Sequence, residues 1–353
     1  MLFERKNPLT LPAPEPQAPR NAGRSRSIAV RFPNWLGDFC MALPALLQLK
    51  SRFDRVTAVV PPSLADFAAA VPDIDAVVVL SAAHSQWTKS DLEHLTAANA
   101  DCGLLFNNSF RDAWNFRRAG IKPIFGAAAR CRSFLLHEPF QLPKVKKNHW
   151  NNLHHARKYA SMAEALGGSP WTGKFPAINI APPERRRHTL LLAPGAAYGA
   201  AKRWPSESFN AAAKLFLAAH PDGHAIIVGG PGEVRIADEV ASGLERTDNR
   251  CGKTGFTDLT TLVASASVCV SNDSGIMHLA AALGVPGVAP FGPTDHTSTS
   301  PVSEKWIVIS SEFPCAPCFR RACPVSAAPP CMTAIKAQTV FEQLELLLEE
   351  YEK

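Results

Sequence analysis

The sequence predicts an α/β protein made of two doubly wound parallel-sheet domains. Short apolar runs alternate with longer segments of helical spacing, first IAVRF, VTAVV, DAVVVL and CGLLF, then TLLLA, HAIIV, ASVCV and GVAPF. The alternation pauses at PAINIAPPERRRHT, rich in proline and arginine, before it starts again. The length of 353 residues suits two domains of about 150 each.

In chain order, residues 1–26 read as a disordered, proline-rich tail. Residues 27–182 form the first domain. Its opening strand IAVRF is followed by a loop and the helix MALPALLQLKSRF, then by strands VTAVV, DAVVVL and CGLLF with LADFAAAV helical between the first two. Residues 188–336 form the second domain, with strands TLLLA, HAIIV, ASVCV and GVAPF separated by PSESFNAAAKLFLAA, VRIADEVASGL and MHLAAALG. The acidic helix at 338–353, QTVFEQLELLLEEYEK, is expected to pack back on the first domain.

Composition excludes several classes. The chain is 46% hydrophobic and 19% charged, with no apolar run near the roughly 18 residues a membrane span needs. The first residues lack an apolar segment with a small-residue cleavage site, so no signal peptide is expected. Nine cysteines, an odd number scattered largely through strands, fit a reducing cytoplasm better than a disulfide framework. The net charge of +6 is uneven, because residues 111–158 hold eleven Lys or Arg against Asp112 and Glu138. Such a field attracts phosphates or anionic lipid. No recognition module accompanies it, so a nucleic-acid partner is not expected.

Four loops are too polar or too small-residue-rich for packing alone. Pro33-Asn34-Trp35-Leu36-Gly37-Asp38 follows the first strand and places a carboxylate at a helix start. Pro194 through Pro205, PGAAYGAAKRWP, offers Gly195, Ala196 and Ala197 for close backbone approach and Lys202 as a point charge for a diphosphate. Gly229-Gly230 ends a strand, and Glu233 follows as a candidate acceptor of ribose hydroxyl hydrogen bonds. Asn272-Asp273-Ser274-Gly275 joins ASVCV to MHLAAAL, where helix-start amides can hold an anion. Neither G-x-G-x-x-G nor the P-loop pattern is present, which weighs against nicotinamide, flavin or P-loop chemistry.

Together PNWLGDFCMALPAL, PGAAYGAAKRWP, GGPGE and VSNDSGIMHLAAALGVPGVAPFGPTD resemble glycosyltransferase family 9, the ADP-heptose:lipopolysaccharide heptosyltransferases, and more closely the heptosyltransferase II branch. The resemblance runs from about residue 27 to residue 301. It implies a GT-B fold, two Rossmann-like domains facing a central cleft, and inverting transfer of heptose from ADP-heptose to the inner core of lipopolysaccharide, with no cofactor needed for catalysis. By motif match, Asp38 is the general base, and Lys202 with Asp273, Ser274 and Gly275 stabilises the leaving diphosphate. His278 and Glu233 complete the donor site with Gly195, Ala196, Ala197 and Gly229. Asn34, Arg111, Arg130, Arg132, Lys144 and Lys146 are expected to face an anionic acceptor. Peripheral contact with the cytoplasmic face of the inner membrane follows from that assignment.

Cys315, Cys318, Cys323 and Cys331 form a C-x2-C-x4-C-x7-C array whose thiols could hold structural zinc or iron. Two other functions share these features. One keeps the donor but uses another glycan or a protein as acceptor, and the other is a nucleotide-sugar-binding protein without catalysis. The second has no need of a base at Asp38.

Overall fold

In a computed structural model, the structure describes residues 1–5, 7–81, 86–143, 152–181, 183, 187–311 and 313–351. The chain divides into two compact units. One takes Pro12–Lys144 with Leu153–Asn179, and the other takes Met1–Leu11, Val145–Asn152 and Ile180–Lys353. The strands are β1 (Leu2–Arg5), β2 (Ser27–Arg31), β3 (Arg55–Val60), β4 (Ala76–Val79), β5 (Cys102–Leu105), β6 (Ile124–Gly126), β7 (Thr189–Ala193), β8 (His224–Ile227), β9 (Thr247–Asn249), β10 (Val268–Ser271), β11 (Gly287–Phe291) and β12 (Trp306–Ser310). The helices are α1 (Leu36–Lys50), α2 (Ala65–Ala69), α3 (Lys89–Ala97), α4 (Phe110–Arg118), α5 (His155–Ala165), α6 (Ser206–Ala219), α7 (Val234–Ala241), α8 (Phe256–Ser265), α9 (Gly275–Ala282), α10 (His296–Thr299), α11 (Pro330–Thr333) and α12 (Ala337–Tyr351).

The first unit holds a parallel sheet of order β4-β3-β2-β5-β6. Strand β2 is central, and its Ile28, Ala29 and Val30 are fully buried, as expected of a strand covered on both faces. The chain runs outward from β2 through β3 and β4, then returns to β5 on the other side of β2. A crevice therefore opens at the carboxyl ends of β2 and β5, the switch point at which open α/β sheets bind ligands.

The second unit repeats this plan with order β1-β12-β11-β10-β7-β8-β9. Here β7 is flanked by β8 and β10, so the loops after β7 and β10 border the corresponding crevice. The core beneath it joins Leu190, Leu192, Val268 and Val270 to Trp204, Phe209 and Phe216.

Two terminal expectations are corrected. The tail read as disordered begins with a strand, since β1 pairs antiparallel with β12 and covers that sheet edge. Its short length and largely exposed side chains gave the sequence little periodicity to register. The acidic C-terminal helix, expected on the first domain, belongs to the second unit. Val340, Leu344, Leu347 and Leu348 of α12 are buried in the second unit's own core, and α12 lies against α6, β10 and β11. Arg5 of β1 and Glu350 of α12 pair at 2.7 Å.

Candidate active site

The residues expected to act are divided between the two units. In the first unit Asp38 lies in the first turn of α1, where Trp35 stands at the helix start without a side-chain cap. Asp38 is therefore not the cap itself, and its carboxylate is 30% exposed. Helix α5 packs along α1 and presents His155 and Tyr159, one turn apart, to that carboxylate. His155 Nδ1 is 3.2 Å from Asp38 Oδ1, and the Tyr159 hydroxyl donates to the same oxygen at 3.4 Å. Burial, and then the charge of Asp38, push the Tyr159 phenol well above its usual range, so it keeps its proton as a donor. Sequence reading missed both residues. The His-x-x-x-Tyr spacing of HARKY was the available signal, but nothing in it specified the partner helix.

Beside this cluster lies a buried polar network. The Arg31 guanidinium, 1% exposed, donates to Asp112 at 2.9 Å and also to Asn34. Asp112 accepts further from Trp87 Nε1 at 3.0 Å and from Asn107. Desolvation lowers the pKa of Arg31, and the charge of Asp112 opposes that effect. Asn34, expected at the acceptor, thus has its side-chain oxygen engaged in holding Arg31.

Arg132 requires a correction. It is fully buried, and it donates to the carbonyls of Ala127 at 3.1 Å and Ser109 at 3.2 Å, bracing the loops after β5 and β6. Burial lowers its pKa to about 10. Arg111 and Arg130 are exposed, whereas Lys144 and Lys146 lie outside the described residues.

In the second unit the loop after β7 runs through Gly195, Ala196 and Ala197 to a 3-10 turn at Ala200–Lys202. Trp204 anchors that loop from inside, with its backbone N–H donating to Asn272 Oδ1 at 2.9 Å and its indole N–H to the Ile335 carbonyl at 2.9 Å. Asn272 in turn donates to the Pro194 carbonyl at 2.7 Å, tying the β7 and β10 loops together. Lys202 Nζ reaches Asp273 Oδ2 at 2.6 Å and lies 4.9 Å from the centre of the Tyr198 ring. Thr294 donates to the same Asp273 oxygen at 2.8 Å, a partner not singled out from sequence.

Ser274 precedes α9 with extended backbone and no capping side-chain bond, and its Oγ lies 3.2 Å from Ser271 Oγ. The polar run at 272–275 is therefore not a redundantly capped helix start. One residue ties loops, one holds a lysine, and the helix start keeps its positive dipole end without a side-chain cap. His278 is buried on α9. After β8, Glu233 folds back to accept from the Gly230 N–H at 2.8 Å. A Cβ on Gly195 would run into the Glu233 carboxylate, so the Glu233 side chain lies where a side chain at 195 would begin.

The four-cysteine segment packs against this site. The Arg321 carbonyl accepts from Ala201 N–H at 3.0 Å, and the Arg321 guanidinium lies 5.1 Å from the centre of the Tyr198 ring. Among the described residues, however, no three His, Cys, Asp or Glu side chains are grouped to hold a metal ion. As they stand, Cys315, Cys318, Cys323 and Cys331 are free thiols, with Cys331 buried and Cys315 exposed.

A family model described as glycosyltransferase family 9 (heptosyltransferase) matches residues 91–328. The chain belongs to this family. It is 27% identical to lipooligosaccharide heptosyltransferase 2 of Campylobacter jejuni, over 91% of this chain and 98% of the relative. It is 25% identical to lipopolysaccharide heptosyltransferase 2 of Escherichia coli, over 80% and 87%. The solved structure of E. coli ADP-heptose lps heptosyltransferase II superposes with a TM-score of 0.75 at 23% identity, covering 93% of this chain and all of that one. The family 9 chain is a glycosyltransferase of the GT-B class, as its two Rossmann-like sheets imply.

Proposed function

We propose that this family 9 enzyme transfers heptose from ADP-heptose to the inner core of lipopolysaccharide, with inversion. The observation that carries the reading is Lys202, held beside the uncapped start of α9 by Asp273. A lysine and a helix dipole at one point suit a leaving diphosphate, whose charge grows as its bond to the sugar breaks. Asp38, on the other unit, takes the proton of the acceptor hydroxyl as its oxygen bonds to the anomeric carbon. The diphosphate oxygen leaves with the bonding pair. In the same reading, Glu233 and His278 serve the donor, with Gly195, Ala196, Ala197 and Gly229 shaping its loop. The exposed Arg111 and Arg130 serve an anionic acceptor.

Among the described residues no helix is long and apolar enough to cross a membrane. A separate part of the proposal is that work on a glycolipid acceptor brings the enzyme into peripheral contact with the cytoplasmic face of the inner membrane. A structural zinc or iron at the four cysteines is a separate proposal, supported by their spacing and tested by elemental analysis of protein purified under reducing conditions.

The test of function is ADP release from ADP-heptose with deacylated inner-core acceptor and an acceptor-free control. Acceptor-dependent release is expected. Tight donor binding without release on any inner-core acceptor would overturn the assignment of acceptor.

A further inference from the structure

The outward side of α4 is neither a packing surface nor an ordinary solvated one. Asp112, Ala113, Asn115 and Phe116 face inward and are buried, while Phe110 and Trp114, one turn apart, are 42% and 48% exposed. Phe134, in the turn Ser133–Leu135, is 71% exposed, and its ring centre lies 6.0 Å from that of Phe110. Three large aromatic side chains thus stand together in water. Scattered exposed apolar residues need no explanation, but a cluster on one face does.

The surroundings of this cluster indicate its partner. Arg111, Arg117, Arg118, Lys122 and Arg130 are all exposed on the same stretch of chain. Its two acids are accounted for, since Asp112 is buried on Arg31 and Glu138 lies 4.0 Å from Arg20. Next to the aromatic residues is a cavity of about 380 Å³, lined by Ile124, Leu135, Leu136 and His137, with Arg117 and Lys122 as its cationic members. Aromatic rings flanked by cations, beside an apolar hollow with a basic rim, match the depth profile of a lipid leaflet. Rings sit at headgroup level, charges meet anionic headgroups, and the hollow can take part of a chain.

We propose that the α4 face, with Phe110, Trp114 and Phe134 inserting and Arg117, Arg118 and Lys122 around them, docks the enzyme on an anionic phospholipid bilayer. The inference deepens the proposed glycolipid acceptor and rests on that reading for its role in catalysis, whereas lipid binding can be measured without turnover.

The experiment is sedimentation of the full chain with vesicles of phosphatidylethanolamine containing about one-third phosphatidylglycerol, against phosphatidylcholine vesicles. Binding to the anionic vesicles alone is expected, weakening as salt rises. Phe110→Ser/Trp114→Ser/Phe134→Ser should lower that affinity by about tenfold or more while turnover of the deacylated, soluble acceptor is retained, which also shows that the variant folds. Arg117→Gln/Arg118→Gln should flatten the salt dependence. Bromine-labelled lipid should quench part of the tryptophan fluorescence, and Trp114→Phe should remove that part. No binding to anionic vesicles at low salt, or equal binding by the triple aromatic variant, would overturn the proposal. So would a solution dimer that the aromatic variant converts to monomer, since the face would then be a contact between copies. Vesicle binding with no transfer to any inner-core acceptor would instead count against the function proposed above.

Discussion

Lys202 and Asp273 meet at 2.6 Å, with side chains only 11% and 6% exposed. The pair sets the position of the cation before any donor arrives. Because Thr294 is the other side-chain donor to that Asp273 oxygen among the described residues, removing the lysine strands a buried carboxylate. Lys202→Met is expected to lower stability by about 3–5 kcal/mol and to weaken ADP binding. Adding Asp273→Asn should recover most of the stability, because the buried charge is gone, but not the ADP affinity. Thermal unfolding and ADP titration of the single and double variants measure the two effects separately. Equal loss of stability in both variants would mean that the pair is not what the lysine removal disturbs.

Asp38→Asn should cut turnover by about 10²–10⁴-fold, the usual contribution of a positioned general base. ADP affinity should stay unchanged, since the loops proposed to hold the donor belong to the other unit. His155 and Tyr159 converge on one Asp38 oxygen, so in the proposed mechanism they act as positioning residues for that base. His155→Ala is expected to lower turnover by about tenfold and to move the acid limb of the pH–rate profile upward, because a donor to the ionised carboxylate is lost. A purely structural role would lower activity without moving the profile. His155→Gln, which keeps a donor, should be the milder change.

The frame and the loops were readable because buried parallel strands announce themselves as apolar runs and their connecting loops as clusters of small and polar residues. IAVRF and TLLLA could be placed on that basis, and so could PGAAYGAAKRWP and SNDSG. What stayed hidden depends on contacts between distant parts of the chain. β1 is legible only through its partner β12, and Arg132 looked like a surface cation because sequence does not reveal that the carbonyls of Ser109 and Ala127 surround it. His155 lacked a motif, and its meaning comes from α5 lying along α1. The four cysteines are the reverse case, a regular spacing that the fold does not gather into a metal site among the described residues.

Gly195→Ala is a selective probe of the loop proposed to hold the donor. The added methyl group meets the end of the Glu233 side chain and not backbone, so Glu233 can move aside and the fold should tolerate the change. The move breaks the bond from the Gly230 N–H to Glu233 Oε2. Stability is expected to fall by no more than about 1 kcal/mol, the net value of one ordinary hydrogen bond. The KM for the donor should rise several-fold with little change in kcat. If Glu233→Gln raises KM alone, and Gly195→Ala adds little on top of it, the glycine acts through the carboxylate. Additive effects would mean that the methyl group obstructs the donor directly.

Burial, and then the neighbouring Cys315, Cys318 and Cys323, raise the Cys331 thiol to about 11. Near pH 8 its thiolate is therefore only about one part in a thousand, and thiolate is the species that alkylates. Iodoacetamide should modify exposed Cys131 and Cys315 well before Cys331, and the Cys331 rate should keep rising with pH toward 11. Mass spectrometry of peptides over a time course reads each site separately. A bound metal gives a different pattern. Cys315, Cys318, Cys323 and Cys331 would then be protected together, and a chelator would release the three less buried thiols at once while Cys131 reacts at the same rate throughout. Ordered modification with Cys315 fast and Cys331 slow, unaffected by chelator, is the outcome the free thiols require, and it would remove the case for a structural metal.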